Sequence, residues 1–297
     1  RDSVASRGLG DVYKRQATYV DDISVFAQRS ADVEEAYTSL HAAFDKLTRQ
    51  DGDELTQIIG MQLSRSSSGV RVHQTAYAQR ILDTFPDVTG SFATPTRSEP
   101  PPTPSPLLSD VQAGQFRKAV GMLLYLVNLS RPDLAYATRA AAQGMARPTA
   151  ADWQQVERIL GYLRTTVDYG LFYPAMPGIP NMRAYVDADF AGEVDRKSIS
   201  GMLGAFGQQG AFMWKSTKQH LTAKSSTEAE LIALADNCSS IIVARRALGE
   251  LGIIVPGPTV IYEDNTAAIT ILRDIVYSGR TKHIDVRLQY ERDQVRR

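Results

Sequence analysis

A chain of 297 residues with 43% hydrophobic and 22% charged content is long enough for about two domains with cores of their own, which excludes wholesale disorder. Lys plus Arg and Asp plus Glu balance at 33 each, so whole-chain charge announces no polyanionic partner and any such binding must come from local basic patches. The lone Cys238 excludes an internal disulfide framework and a cysteine-rich zinc site, fits a reducing intracellular compartment and reads as a small core residue on a helix; no apolar run approaches the length of a membrane span, and the start lacks the apolar core of a signal peptide.

Residues 1–16 are basic and polar without useful periodicity, and they read as a foreign or badly translated leader outside the fold. Ala17 to Ala27 then reads as a strand, a tight acidic turn at Asp21 and Asp22, and a second strand from Ile23 to Phe26. Helical spacing of Val33, Tyr37, Leu40, Phe44 and Leu47 predicts a helix over Ala31 to Leu47, capped by Ser30 or Asp32. A hairpin over Ile58 to Leu63 and Gly69 to His73 and a helix from Thr75 to Phe85 complete a block at 17–94. Residues 95–109 are proline-rich and predict an extended linker. Helices over Asp110 to Leu129, Pro132 to Met145 and Ala150 to Thr166 make a block at 110–169, with Thr149 as a cap and Trp153 as an anchor. Core packing suffices to explain their apolar faces.

From Gly170 the pattern turns to strands: Gly170 to Tyr173, Met182 to Asp187, Ser200 to Phe206 and Gly210 to Lys215. A helix from Ser226 to Leu251 follows, opened by a capping box between Ser225 and Glu228, then a short buried strand from Val260 to Tyr262 and helices over Asn265 to Ile275 and His283 to Arg292. Residues 170–297 thus predict an α+β unit with a mixed sheet flanked by helices. The last periodic segment has no stop signal, so the chain reads as a piece of something longer.

Tyr-Val-Asp is written twice, each time with a second aspartate beside it, at Asp21–Asp22 and at Asp187 with Asp189. An aromatic and a β-branched residue running into acids suit a strand whose end presents charge to metal and phosphate. Asp187 ends a strand, Glu230 lies in the first turns of a helix and Asp264 ends another strand, so the three can converge at one rim of a sheet. Two-metal phosphodiester hydrolysis needs several carboxylates around two divalent ions, and Mg²⁺ keeps waters and accepts few protein ligands.

The ordered strings Tyr185–Gly192, Arg196–Gly201, Trp214–Gln219, Ser225–Glu230, Glu263–Asn265 and Arg280–Asp285 closely resemble the ribonuclease H region of Ty1/copia-type retrotransposon Pol polyproteins. Tyr19–Asp22 resembles the reverse-transcriptase catalytic turn of that family, Ile59-Gly60 its downstream palm hairpin and Arg131-Pro132-Asp133 its connecting segment. The resemblance implies a partial palm at 17–94, a helical thumb or connection at 110–169 and a ribonuclease H-like domain at 170–297 that lacks its C-terminal end. Asp187, Glu230 and Asp264 match the catalytic, metal-binding carboxylates, with Mg²⁺ or Mn²⁺ as cofactor, two ions per site. Asp189 is expected to be a solvated acid and Glu228 a helix cap.

Asp21 and Asp22 match a polymerase site whose third carboxylate and fingers lie upstream, so independent DNA synthesis is not expected. A fourth ribonuclease H aspartate lies, in the family, beyond the segment matching His283 to Arg292; Asp285 is not taken for it. Implied partners are an RNA:DNA hybrid, a template-primer and the rest of the polyprotein, with integrase upstream, in a cytoplasmic virus-like particle or the nucleus and with no membrane. Arg196, Lys197, Lys215, Lys218, Lys224, Arg280 and Lys282 form a local basic surface for phosphates, and His283 is either a further phosphate or product contact or a capping or packing histidine. Ser198, Ser200, Ser225, Ser226 and Asn265 are expected to meet ribose hydroxyls. Trp214 stacks on a base or belongs to the core. The leading reading is hydrolysis of the RNA strand of hybrids; the alternative is an inactive retroelement relic that at most binds nucleic acid. An actin-like ATPase lacks the glycine-rich phosphate loops it would need.

Overall fold

The computed structural model describes residues 14–273 apart from 20–21, 28, 45, 51–54, 98–104, 177, 179–180, 193–194 and 208–209. Strands β1 (Lys14–Tyr19) and β2 (Asp22–Ala27) pair antiparallel as a two-stranded sheet, with Tyr19 opposite Asp22. β1 begins at Lys14, so the hairpin takes in residues 14–16. A ladder is made by backbone groups, and basic side chains do not prevent it. Helix α1 (Ser30–Ala43) ends four residues earlier than its apolar spacing predicts. The chain folds back there: Arg49 grips Glu34 with two bonds of 2.8 and 2.7 Å and lies over the Tyr37 ring. At the other end Arg29 occupies the cap position, and Asp32 pairs with it at 2.6 Å instead of capping.

Strands β3 (Gln57–Ile58), β4 (Met61–Ser66) and β5 (Gly69–His73) form the expected hairpin, followed by helix α2 (Thr75–Thr84). Helices α3 (Asp110–Leu129), α4 (Ala135–Gln143) and α5 (Ala150–Thr165) pack with α2 around Ile81, Phe116, Leu123, Leu134, Ile159 and Leu163, all removed from water. Thr149 caps α5 in a reciprocal box with Asp152, and Trp153 meets the edge of Phe85. Between α3 and α4 the buried Arg131 ties Asp133 to the carbonyl and hydroxyl of Thr166 at the end of α5, so the Arg-Pro-Asp string is a structural clamp. The described flanks of the proline-rich stretch are pinned to α5, Pro95 by Gln155 and Ser105 by the Ala151 amide.

Strand β6 (Gly170–Pro174), expected to open the second sheet, pairs with β5 and closes the first one in the order β3-β4-β5-β6. Strand periodicity reveals a strand and not its partner. Gly170 permits the pairing, because a Cβ there would stand 2.5 Å from the Val72 carbonyl oxygen and 2.7 Å from the His73 Cβ.

The second sheet has the order β10-β7-β8-β9, built from β7 (Met182–Asp189), β8 (Ile199–Phe206), β9 (Ala211–Lys218) and β10 (Val260–Tyr262). β7, β8 and β9 form an antiparallel meander, and β10 runs parallel to β7, so the sheet is mixed as predicted. β10 is an edge strand with Val260 and Tyr262 exposed, contrary to the expected buried strand. Along β7, Met182, Ala184, Val186 and Ala188 face inward against helix α6 (Ser226–Glu250), while Tyr185, Asp187 and Asp189 face outward. α6 is buried on every side over Ala229–Ala235, which seats its first turns deep beneath the sheet. Helix α7 (Thr266–Arg273) follows β10.

The two halves touch through named bonds. Trp214 on β9 donates its indole N–H to the Val127 carbonyl at 2.8 Å, Tyr173 on β6 donates to the Ala211 carbonyl at 2.7 Å, and Tyr136 on α4 lies 3.5 Å from an Asp189 oxygen.

Candidate metal centre

β7 delivers the first carboxylate. β10 pairs only with Arg183, Ala184 and Tyr185, so the edge of β7 beyond Tyr185 is open on that side. Into this gap Glu230, one turn into α6, raises its carboxyl until it accepts the Ala188 amide. Asp264 arrives from the end of β10. Oxygens of Asp187, Glu230 and Asp264 lie within 4.8 Å of one another. Asp187 and Asp264 are exposed, whereas Glu230 is only 5% exposed. Two strand ends and a helix start therefore converge at one rim.

The cluster is electrostatically costly without cations. Burial, followed by the charges of Glu263, Asp187 and Asp264, pushes the Glu230 carboxyl up to about 8. Glu263 is raised for the same leading reason. One oxygen of Glu230 and one of Glu263 make no hydrogen bond among the described residues. An all-oxygen donor set, partly exposed and partly buried, with an orphaned carboxylate oxygen suits a hard divalent ion. Glu263 was not foreseen as part of this group. Its signal was an acid directly before Asp264, masked because alternate residues of a strand point to opposite faces.

Other expected residues divide. Asp189 pairs across β8 with Ile199, and Ile199 with Lys218, so Arg196, Lys197 and Lys218 all lie at the strand ends that carry the carboxylates. Lys218 is bonded to Asp195 at 2.9 Å, and this contact holds the Asp195 carboxyl below its usual range. Lys215 lines a cleft of about 370 Å³ together with Tyr136, Tyr185, Asp187, Asp189 and Trp214. Trp214 is half-buried, stitched to α3 and at the wall of this cleft. Tyr185 and Tyr262, opposite each other on β7 and β10, stack at 4.8 Å and remain exposed.

Ser198 and Ser200 are buried, which removes them from ribose contact: Ser198 Oγ accepts the Ala191 amide and Ser200 Oγ accepts from Gln219. Asn265 opens α7, its Oδ1 accepting the Ala268 amide. Ser226 is exposed at the first turn of α6, and Ser225 caps that helix by accepting the Glu228 amide. Glu228 accepts the Lys224 amide, so it serves the helix entry as expected although the box does not close on Ser225. Asp22 opens β2 opposite Tyr19. Asp21, Arg280, Lys282 and His283 lie outside the described residues.

The fold is a mixed α+β arrangement, a four-stranded sheet over α6 joined to a helical block, with the carboxylates at the ends of β7 and β10 and the start of α6. The chain belongs to the retrovirus-related Pol polyproteins of Ty1/copia-type retrotransposons. It is 34% identical to the Pol polyprotein from transposon RE1 of Arabidopsis thaliana over 98% of its length, and 32% identical to that from transposon TNT 1-94 of Nicotiana tabacum over 93%. It spans only 20% and 21% of these relatives, about a fifth of each. A solved structure of the foamy viral protease-reverse transcriptase in complex with RNA/DNA hybrid aligns with 94% of this chain and 34% of that one, at a TM-score of 0.46 and 12% identity. No family model matches the chain. No helix among the described residues is long and apolar enough to cross a membrane.

Proposed function

We propose that Asp187, Glu230 and Asp264 form the metal site of a nuclease that hydrolyses the RNA strand of RNA:DNA hybrids. What supports this is their convergence within 4.8 Å at one sheet rim, in a chain of this polyprotein family. Two Mg²⁺ or Mn²⁺ ions held there would supply activation of a water and charge neutralisation at the leaving oxygen. Asp187 and Asp264 would offer oxygens on the solvent side and Glu230 one from beneath. Arg196, Lys197 and Lys215 hold phosphates at the same end of the sheet without reading sequence. Asp21 and Asp22 belong to a polymerase site that acts on template-primer. The chain serves as one part of a larger Pol polyprotein inside the cell, in a virus-like particle or the nucleus.

A cleavage assay on an RNA:DNA hybrid labelled in its RNA strand tests this. The expected result is Mg²⁺-dependent cleavage, abolished by a chelator and reduced about 100-fold or more in Asp264→Asn. Indistinguishable behaviour of the two proteins with and without metal would make the chain an inactive nucleic-acid-binding relic.

A further inference from the structure

The first turn of α6 determines where the Glu230 carboxyl sits, and Gln219 ties that turn to the sheet. Gln219 follows β9 and is 2% exposed. Its amide N–H donates to the Ser198 carbonyl at 2.8 Å, prolonging the β8–β9 ladder. Its side-chain Nε2 donates to Ser200 Oγ at 3.0 Å and to the Ala229 carbonyl at 2.8 Å. The Ala229 carbonyl can only accept, so the amide end facing it is the NH₂, which fixes the orientation of the side chain.

These bonds and the register of β7 on β8 close a ring. Ala229 immediately precedes Glu230; Glu230 accepts the amide of Ala188 on β7; Ala188 lies opposite Ser200 on β8; and Ser200 returns to Gln219. Glu230 is thus held from two directions, through its carboxyl and through the peptide before it. Misplacing one ligand by about 1 Å is enough to cost a site much of its function.

We propose that Gln219 is a positioning residue for the carboxylate cluster, holding Glu230 where it shares a divalent cation with Asp187 and Asp264. This rests on the metal-site reading above. The competing role is plain stabilisation of buried backbone, and the molecule contains its own control for that. Asn237, also 2% exposed, joins α6 to β8 through the Gly201 carbonyl at 3.4 Å, about two helical turns beyond Glu230. A residue that merely holds α6 on the sheet should resemble Asn237; a positioning residue should not.

The test is the Mn²⁺ dissociation constant of the full 297-residue chain, followed by electron paramagnetic resonance alongside the melting temperature. Gln219→Met keeps the volume and deletes the donor, Gln219→Glu keeps the shape and turns an acceptor toward the Ala229 carbonyl, and Asn237→Leu is the control. The dissociation constant should rise about tenfold in each Gln219 variant that folds, and stay within about twofold in Asn237→Leu at a comparable loss of melting temperature. The proposal is overturned by an unchanged constant in a folded Gln219 variant, by an equal rise in Asn237→Leu, or by loss of the cooperative transition in both Gln219 variants. Wild-type protein that binds no Mn²⁺ overturns the metal-site reading itself, a result visible before any variant is compared.

Discussion

Glu230 is a carboxyl held where water barely reaches it, among three other acids. Its ordinary value of 4.5 in the unfolded chain and about 8 in the fold make metal-free stability pH-dependent. Below 4.5 both states are protonated and the fold bears no penalty. Between 4.5 and 8 the unfolded chain loses its proton while the folded one keeps it, so stability falls as pH rises, by a few kcal/mol at the order-of-magnitude level. Glu263 adds to the same trend. Urea midpoints from pH 4.5 to 8 in a chelator should therefore decline, and Glu230→Gln should remove most of the slope; a rising or flat wild-type profile contradicts the assignment. Saturating Mg²⁺ should flatten the wild-type curve, because metal binding releases the same proton. At this scale the sequence was readable where chemistry follows from residue type at an element end, as with Asp187, Glu230 and Asp264. It was misleading where a hydroxyl is buried and taken up by a side chain from another element, as with Ser200 and Gln219.

Elements place these residues, and one bond across the halves shows how. Val127 lies in the last turn of α3, where the carbonyls have no partner within the helix; the Trp214 indole supplies one for its carbonyl. Trp214→Phe keeps the ring and orphans the carbonyl, with an expected loss of about 1 kcal/mol in urea unfolding. If the helices steady the sheet face that carries Asp187, the variant should also expose the β9 amides to faster hydrogen exchange. Unchanged stability together with unchanged exchange would show that the contact carries no weight. The strand β7 and the cap of α6 were legible because they are local. The partner of β6 and the edge position of β10 were not, because pairing is decided by which backbone edge is left open across a long intervening stretch of chain.

At the scale of the molecule, the chain carries two acidic strand motifs with different settings. The first lies in a two-stranded hairpin, with Asp22 paired across to Tyr19. The second lies on a sheet buried on one face by α6 and joined to α3, α4 and β6 on the other side of the chain, which gives its carboxylates fixed support. Family, fold class and the order of the carboxylates could be recognised because six strings recur in sequence order. The cost of gathering them, and the ring of bonds through Gln219 that accepts it, could be seen only once the elements were assembled.

The central claim is that three carboxylates from two strands and a helix hold divalent metal. Anomalous diffraction from crystals of the full chain soaked in Mn²⁺ tests it most directly. The expected result is density bonded to oxygens of Asp187, Glu230 and Asp264 at about 2.0–2.2 Å, lost in Asp264→Asn crystals. Anomalous density elsewhere on the chain with none among these three residues would contradict it.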